Sequence, residues 1–373
     1  MKKNIPNIIL LVSLACIIAF FSLSYIFTPD KGFSEDENRV LQGAPRFTVE
    51  KLLDGTYTRQ LHDYFSDQIN FRTAMINLKA SIELALGKNE NNDILLGKDG
   101  YLIETHQYTE DNYSYLKRNL LKIENMMQSL KENEVTVHSA IIPRKVDILQ
   151  SKLPPYYSDD RNQEIWNLVS DQHINLTDIL SNWQRSGKDV FYKTDHHWTA
   201  DGAYYAYTEL ITLFGSYSNP KSFFELELLS DSFYGTSYSK SGFFFASADS
   251  IFAPKSNIDR YTTTIVDTGI EFDGFYDTDY LSKKDKYSVF LSGNNAHVKI
   301  TDKEDDSKET LLIIKDSFSH SLAPYLCEHY NLELIDPRYY IGSIEEYILE
   351  NDIKNVLFIF GLDTLASANI SIR

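Results

Sequence analysis

Cysteine is nearly absent: 373 residues carry two, Cys16 and Cys327. Cys16 lies inside an apolar run, so Cys327 has no partner outside it, and the chain must be stabilised by its core instead of by disulfides. The apolar run continues well past Cys16 to Phe27, and Ser13 stands where a lipobox usually carries Leu, so a lipid-modified cysteine is not expected. Basic residues are also short, with 36 Lys and Arg against 53 Asp and Glu, a formal charge of −17. That balance argues against nucleic acid, whose binding rests on Lys and Arg meeting phosphate; a neutral or sugar-like substrate fits better. Internal repeats and low-complexity tracts are missing too, and 43% hydrophobic residues read as an ordinary folded protein with a sizeable core.

What is present begins with a span. Ile8 to Phe27 is an apolar run of about the length that crosses a hydrocarbon core as a helix. Lys2 and Lys3 precede it while Asp30, Glu35, Asp36 and Glu37 follow it, so the positive-inside rule places the rest of the chain outside the cytoplasm. A cleaved signal peptide is the rival reading, but Ser22-Leu23-Ser24 is a weak match to an Ala-x-Ala site. An uncleaved anchor over 1–28 is expected, making this a single-pass membrane protein with its C-terminal domain extracellular.

Residues 29–90 read as an arm of short helices, with Leu52, Leu53, Leu61, Tyr64, Phe65 and Ile69 at roughly helical spacing and a packing role. From 91 to 373 the grammar is that of an α/β sheet. Ile94 to Leu96 and Tyr101 to Ile103 flank a glycine-ended turn and read as a hairpin. Leu116, Leu120, Ile123, Met127 and Leu130 mark one face of a helix ending near Asn133, and Val135 to Ile142 is a strand stopped by Pro143. Ile165 to Leu180 reads as helical, and Thr199 caps a helix running to Leu213. From about 219 to 306, short aromatic runs between Gly, Ser, Asn and Asp read as an insertion of strands and loops partly lining the site. Leu311 to Ile314, Leu332 to Ile335 and Val356 to Phe360 are further strands, with helices over Ser321 to Tyr330 and Ile344 to Leu349.

The chemistry gathers at Asp195-His196-His197-Trp198. On a strand, alternation would put Asp195 and His197 on one face and His196 and Trp198 on the other, an arrangement suited to a carboxylate that orients a histidine. A polar turn with merely hydrogen-bonded imidazoles is the bland alternative. Ser317, at a sharp exit after a predicted strand, supplies the nucleophile such a pair would serve, where helix capping by Asp316-Ser317 is the structural alternative. The Ser317 N–H is one candidate oxyanion donor, and Gly293 with Asn294 are further ones, although a simple turn also explains that pair. Arg338 and Tyr339 follow a strand end and are candidates for substrate binding, as is Pro143-Arg144-Lys145; structural ion pairs explain the arginines equally well. Asp195, His196 and His197 also prompt a metal reading, but adjacent histidines on a strand diverge and neither a His-x-x-x-His pair nor a cysteine set completes a tetrahedral site. Neither a metal nor a cofactor is expected.

At these residues the chain resembles the DHHW family, named for the tetrapeptide found here at 195–198. That family is similar to alginate acetylation proteins of the AlgJ and AlgX type, whose SGNH-hydrolase-like domain has a circularly permuted order with Asp-x-His before Ser. The resemblance runs from Glu37-Asn38-Arg39 through Asp67-Gln68, Phe71-Arg72, Gly97-Lys98-Asp99-Gly100-Tyr101 and Gly235-Thr236 to Lys315-Asp316-Ser317-Phe318 and Asp336-Pro337-Arg338-Tyr339-Tyr340. It implies an SGNH-hydrolase-like, flavodoxin-like fold, a mostly parallel sheet with helices on both faces. It also implies Ser317 as nucleophile, His197 as base, Asp195 as its orienter, and movement of an acetyl group onto or off an extracellular polysaccharide. A membrane-bound O-acyltransferase partner usually delivers the acetyl group in such systems. One departure is His196, where the alginate proteins carry a threonine or similar residue, and no separate carbohydrate-binding module is expected after Arg373.

Two functional readings follow. The first is an extracellular membrane-anchored serine O-acetyltransferase or acetylesterase acting on a cell-surface or secreted polysaccharide. The second is a non-catalytic glycan-binding or assembly scaffold of an exopolysaccharide modification system. A binding module has no need of Asp195, His197 and Ser317 together, which favours the first.

Overall fold

The computed structural model describes residues 5–34, 39–105, 107–157, 162–256, 259–305 and 307–372. Lys2, Lys3, Glu35, Asp36, Glu37 and Asn38, used above for topology and resemblance, lie outside them. The chain divides into two compact units, residues 1–91 with 242–244, and residues 92–241 with 245–373.

In the first unit the helix Ile5–Phe27 contains a stretch, Asn7–Phe27, long and apolar enough to cross a membrane. Three helices follow: Val49–Leu53, Thr56–Gln68 and Arg72–Ala85. The first two helices contain no buried residue and the third buries Ala80, while ring pairs such as Phe20–Phe71, Tyr25–Phe65 and Phe47–Tyr57 pack within the unit. Polar staples add to these contacts. Asp67 accepts the Gln42 amide at 2.8 Å, Gln68 brackets Lys31 and Gln42, and Asn70 donates to Ser24 and Thr28 at the end of the long helix.

The second unit is built on an eight-stranded sheet in the order Ile270–Asp273, Tyr261–Ile265, His297–Asp302, Asn331–Ile335, Thr310–Lys315, Asn355–Gly361, Thr136–Ile142, Ile174–Asn175. The last five are mutually parallel, and the first three are antiparallel additions. The sheet is therefore mixed, not mostly parallel throughout. The strands from the stretch read as an insertion join the main sheet, and a separate antiparallel pair, Leu226–Phe233 with Asp249–Pro254, stands apart from it. The stretch read as one helix over Ile165 to Leu180 is instead broken by the edge strand Ile174–Asn175.

Both faces of the parallel strands are buried, which is why they read as continuous β-branched and leucine runs. Leu311 and Ile313 face one cluster with Leu357, Ile359, Ala203 and Leu322; Leu312 and Ile314 face the other with Val356, Phe358, Leu120 and Ile348. Helices thus cover both sides: Ala200–Leu210 and Ser319–Leu326 on one, Glu110–Glu132 and Ile344–Glu350 on the other. Thr310–Lys315 leads on to one neighbour, Asn331–Ile335, and is flanked on its other side by Asn355–Gly361. The strand order reverses there, and in open α/β sheets the crevice beyond such a point is where ligands bind.

Candidate active site

Ser317 leaves the carboxyl end of Thr310–Lys315 just before the helix Ser319–Leu326. Asp316 shapes that exit. One of its carboxylate oxygens accepts the Phe318 amide at 3.1 Å, and the other accepts the Gly361 amide at 2.8 Å and the Thr364 hydroxyl at 2.7 Å. The exit is thereby tied to the end of the neighbouring strand. The Ser317 side chain is left for other work: its Oγ lies 2.8 Å from Nε2 of His197.

His197 is not on a strand, contrary to the expectation for the tetrapeptide. Phe191 and Trp198 form an isolated antiparallel bridge, and the residues between them make a tight loop. A hairpin-like loop brings Asp195 and His197 together by turning the backbone, not by pleat alternation. Asp195 Oδ1 sits 2.5 Å from His197 Nδ1 and also accepts the His197 amide at 2.9 Å. Its Oδ2 accepts the Thr236 amide at 2.7 Å and the Thr236 hydroxyl at 3.1 Å. Burial pushes this carboxyl up, but the imidazoles of His196 and His197 and these hydrogen bonds outweigh it and hold the pKa well below the usual range. An ionised Asp195 accepts from Nδ1–H, which leaves the Nε2 lone pair aimed at Ser317.

The loop is fastened from outside. Lys145, fully buried, donates to the carbonyls of Leu102, Lys193 and Asp195. Asp249 accepts the amides of Lys193 and Thr194 and the Thr194 hydroxyl. Trp198 donates its indole N–H to the Phe318 carbonyl at 3.0 Å and to Ser321 Oγ at 2.9 Å, joining the histidine loop to the nucleophile's helix. Tyr287 stacks on the His197 ring, with centroids 3.8 Å apart and planes within 8°, and its hydroxyl reaches Ser321. Gly235 is required by close approach: a Cβ there would lie 2.2 Å from Asp195.

His196 lies beside the pair, its ring centroid 3.9 Å from that of His197. Its Nδ1 lies 2.6 Å from the Thr236 hydroxyl, while burial and the neighbouring His197 push its pKa down to about 4. Behind the nucleophile, Lys315 Nζ lies 2.7 Å from His320 Nε2 and 3.8 Å from Asp336. Burial pushes Lys315 down to about 8, and burial with the adjacent ammonium holds His320 well below its ordinary value, so this imidazole stays neutral.

The structure brings Ser317, His197 and Asp195 into one line and separates the other candidates. Gly293 and Asn294 lie in a turn away from the line: Gly293 donates to the Phe290 carbonyl, Asn295 reaches back to Leu291, Ser292 and Gly293, the Leu291 amide and the Ser292 hydroxyl donate to Phe275 and Asp277, and Asn294 is exposed. Neither lines the cavity of about 550 Å³ that lies against His196 and Phe318. Arg338 does line it, but its guanidinium grips Asp336 through two bonds of 2.9 and 2.6 Å. Tyr339 is about half exposed and outside that wall. Arg144 is likewise paired with Asp147, and Lys145 serves the loop. Sequence reasoning missed Tyr287, Asp249 and the role of Thr236. The first two lie in the aperiodic stretch 219–306, and Gly235-Thr236 was visible only as a short glycine match. Among the described residues, Asp195, His196 and His197 also form a cluster that could hold a metal ion, their donor atoms within 4.8 Å of one another. Both nitrogens of His197 and both oxygens of Asp195 already have hydrogen-bond partners within the protein.

Solved structures share this architecture. Bacillus cereus PatB1 superposes with a TM-score of 0.61 at 21% identity, over 75% of this chain and 99% of that one. A DHHW family protein from Eubacterium siraeum gives 0.55 at 21% identity, over 75% and 94%. These likenesses define the class of protein, an α/β fold with a mixed sheet. The chain belongs to the DHHW family, whose model, described as DHHW protein, matches residues 100–335. Among curated proteins it is similar to the probable alginate O-acetylase AlgJ of Pseudomonas fluorescens, 26% identical over 168 residues, 43% of each chain. The match to the protein of the same name from Azotobacter vinelandii is 23% over 183 residues, 46% of this chain and 47% of that one. The chain spans less than half the length of these relatives.

Proposed function

We propose that this chain is a membrane-anchored serine O-acetyltransferase or acetylesterase acting outside the cytoplasm on a cell-surface or secreted polysaccharide. The observation that carries the reading is the line Asp195–His197–Ser317, with contacts of 2.5 and 2.8 Å. The apolar helix Ile5–Phe27 supports the anchor. Relatives named as alginate O-acetylases support the acetyl chemistry and a polysaccharide acceptor. The SGNH-type assignment with permuted order, Asp195 and His197 before Ser317, is part of the same reading, as is a membrane-bound O-acyltransferase partner supplying the acetyl group.

In this mechanism Ser317 Oγ bonds to the acetyl carbonyl carbon of a donor while its proton passes to His197 Nε2, and Asp195 stabilises the imidazolium that forms. In this reading the Ser317 N–H holds the oxyanion, a donor of a kind worth about 3 kcal/mol when removed. Collapse expels the donor's leaving group, which takes the proton from His197, and leaves acetyl-Ser317. A sugar hydroxyl then gives its proton to His197 and attacks the acetyl carbon. The bond to Ser317 Oγ breaks and the proton returns to that oxygen. Water in place of the sugar makes the same site an esterase.

The test uses the full chain in detergent micelles with 4-nitrophenyl acetate, comparing wild type with Ser317→Ala. Acetylation by one group on intact mass, and nitrophenol release that vanishes in the variant, are the expected results. Equal release by both proteins, without an acetylated species, would remove Ser317 from its role.

A further inference from the structure

The first unit carries large apolar side chains that it does not cover, and on Arg72–Ala85 they form a stripe. At about 100° per residue, Ala74, Met75, Leu78 and Ile82, with Phe71 and Leu86 at the two ends, fall within about 120° of arc. Leu78, Ile82 and Leu86 are 62%, 53% and 81% exposed, and Phe71 is 59% exposed. The other face of the helix is packed within the same unit. A Cβ on Gly242 would lie 3.0 Å from Ile76 and 3.3 Å from Ala80, the residue this helix buries. A contiguous apolar face left bare opposite a packed one marks a surface that something else covers.

The surroundings of the stripe indicate what that is. Asn70 donates to the Ser24 carbonyl and to the Ser24 and Thr28 hydroxyls, which fixes the start of the helix beside the end of the apolar segment Asn7–Phe27. Phe71 holds φ at 62°, left-handed backbone that a bulky side chain adopts only under constraint, and its ring stacks on Phe20 with centroids 5.9 Å apart. Phe20 precedes Phe27 by two helical turns, about 10 Å. The stripe thus begins against a side chain of the apolar segment itself, at the depth of about 5–10 Å that interfacial helices reach into a leaflet. Charge does not supply the attraction: Lys79 and Lys88 share Glu83 at 3.8 and 3.2 Å, and the chain is acidic. Apolar burial supplies it, and the adjoining span supplies proximity.

We infer that Arg72–Ala85 lies in the interface of the leaflet at the Phe27 end of the span, with the stripe from Phe71 to Leu86 facing the acyl chains. The partner is a lipid surface, met without a dedicated headgroup site. The inference rests on the reading of Ile5–Phe27 as a membrane anchor, and it gives the chain a second element on the bilayer.

The experiment uses the full chain with Cys16→Ser, which leaves only the buried Cys327. A nitrobenzoxadiazole label is placed by Leu78→Cys, Ile82→Cys, Asn77→Cys or Phe20→Cys, one at a time, and each protein is reconstituted in phosphatidylcholine vesicles with and without nitroxide-bearing phosphatidylcholine. Labels at the Leu78 and Ile82 positions, both exposed, are expected to shift to the blue and to be quenched about twofold or more by the nitroxide lipid, with the label at Asn77, off the stripe, quenched less. Blue-shifted labels that the lipid does not quench mean that protein, such as a second copy, covers the stripe; unshifted labels mean that it stands in water. Either result overturns the inference, and equal quenching at Asn77 and Leu78 overturns the orientation of the helix. The label at Phe20 reports the anchor separately. Quenching there without quenching at Leu78 and Ile82 keeps the span and removes the interfacial helix, whereas quenching at Leu78 and Ile82 alone removes the span and keeps the lipid contact of the helix.

Discussion

The loops Lys193–Trp198 and Leu291–Asn295 look alike in sequence, each short, polar and following an aromatic run, yet the structure treats them in opposite ways. The first is held almost wholly by groups remote in sequence: Lys145, Thr236, Asp249, Phe318 and Ser321 all bond to it. The second is closed by Asn295 and tied only to a nearby segment, through Phe275 and Asp277, and it carries Leu291, Ser292 and Gly293 consecutively at positive φ. Left-handed backbone at two non-glycine residues is strain that the surroundings must overcome. A loop that orders a charge and a base needs external fastening, because it must hold a carboxylate and an imidazole against solvent and against each other. A loop that only turns the chain needs fewer ties, and the second one finds them in its own Asn295 and in the nearby Phe275 and Asp277.

Four measurements would break or sharpen that contrast. The largest effect is expected from Asp195→Asn, which keeps the loop's shape but favours the wrong His197 tautomer. On the reading above, kcat for acetyl release falls on the order of 10⁴-fold, and the melting temperature falls as well, because an amide NH2 replaces an oxygen that accepts from His197 or Thr236. Next is Lys145→Met, which leaves three carbonyls without their shared donor. Stability falls by several kcal/mol, at about 1–3 kcal/mol for each group left unpaired, and loss of loop register lowers kcat by about 10²-fold. An active and equally stable variant would show that the loop is not fastened from outside.

The third is a pH series of melting temperatures. Burial raises the Glu333 carboxyl, but hydrogen bonds from His297, Tyr347 and Lys299 outweigh it and bring it from 4.5 down to about 2; Asp195 is likewise depressed. For carboxyls depressed in the folded state, the unfolded chain binds more protons in that window, so their stabilisation is complete above the unfolded value and is lost as pH falls through the folded one. Melting temperature should hold from pH 7 to about 5 and drop between pH 4.5 and 2. Glu333→Gln should flatten part of that drop. The smallest effect is expected from Asn294→Ala: less than a twofold change in acetyl release, within the range of surface substitutions. A large loss there would restore the second loop to the site.

How much of this was legible depended on whether the signal was periodic or local. Leu116 to Leu130 stepped at helical spacing and form a helix, and the runs ending at Ile142, Ile314 and Phe360 are buried strands because both faces of the sheet are covered. That Ser317 at a strand end would meet Asp195 and His197 was readable because unusual chemistry was compressed into few positions, and the contacts of 2.5 and 2.8 Å join the three. The strand geometry assigned to that pair was wrong, since period two is only one way to bring residues i and i+2 together. Tyr287 and Asp249 were unreadable: a stacking tyrosine and an aspartate that accepts loop amides look like any other residue of their type.

The sequence by itself therefore determined the apolar N-terminal segment, the parallel α/β core and the chemical types gathered at Asp195, His197 and Ser317, because hydrophobic period and local composition are properties of neighbouring residues. Only the tertiary structure decided that three later strands extend the sheet and that Lys145 and Trp198 aim the loop. Each of those depends on contacts across tens to hundreds of residues, which strand pairing and core packing bring together and no local pattern records.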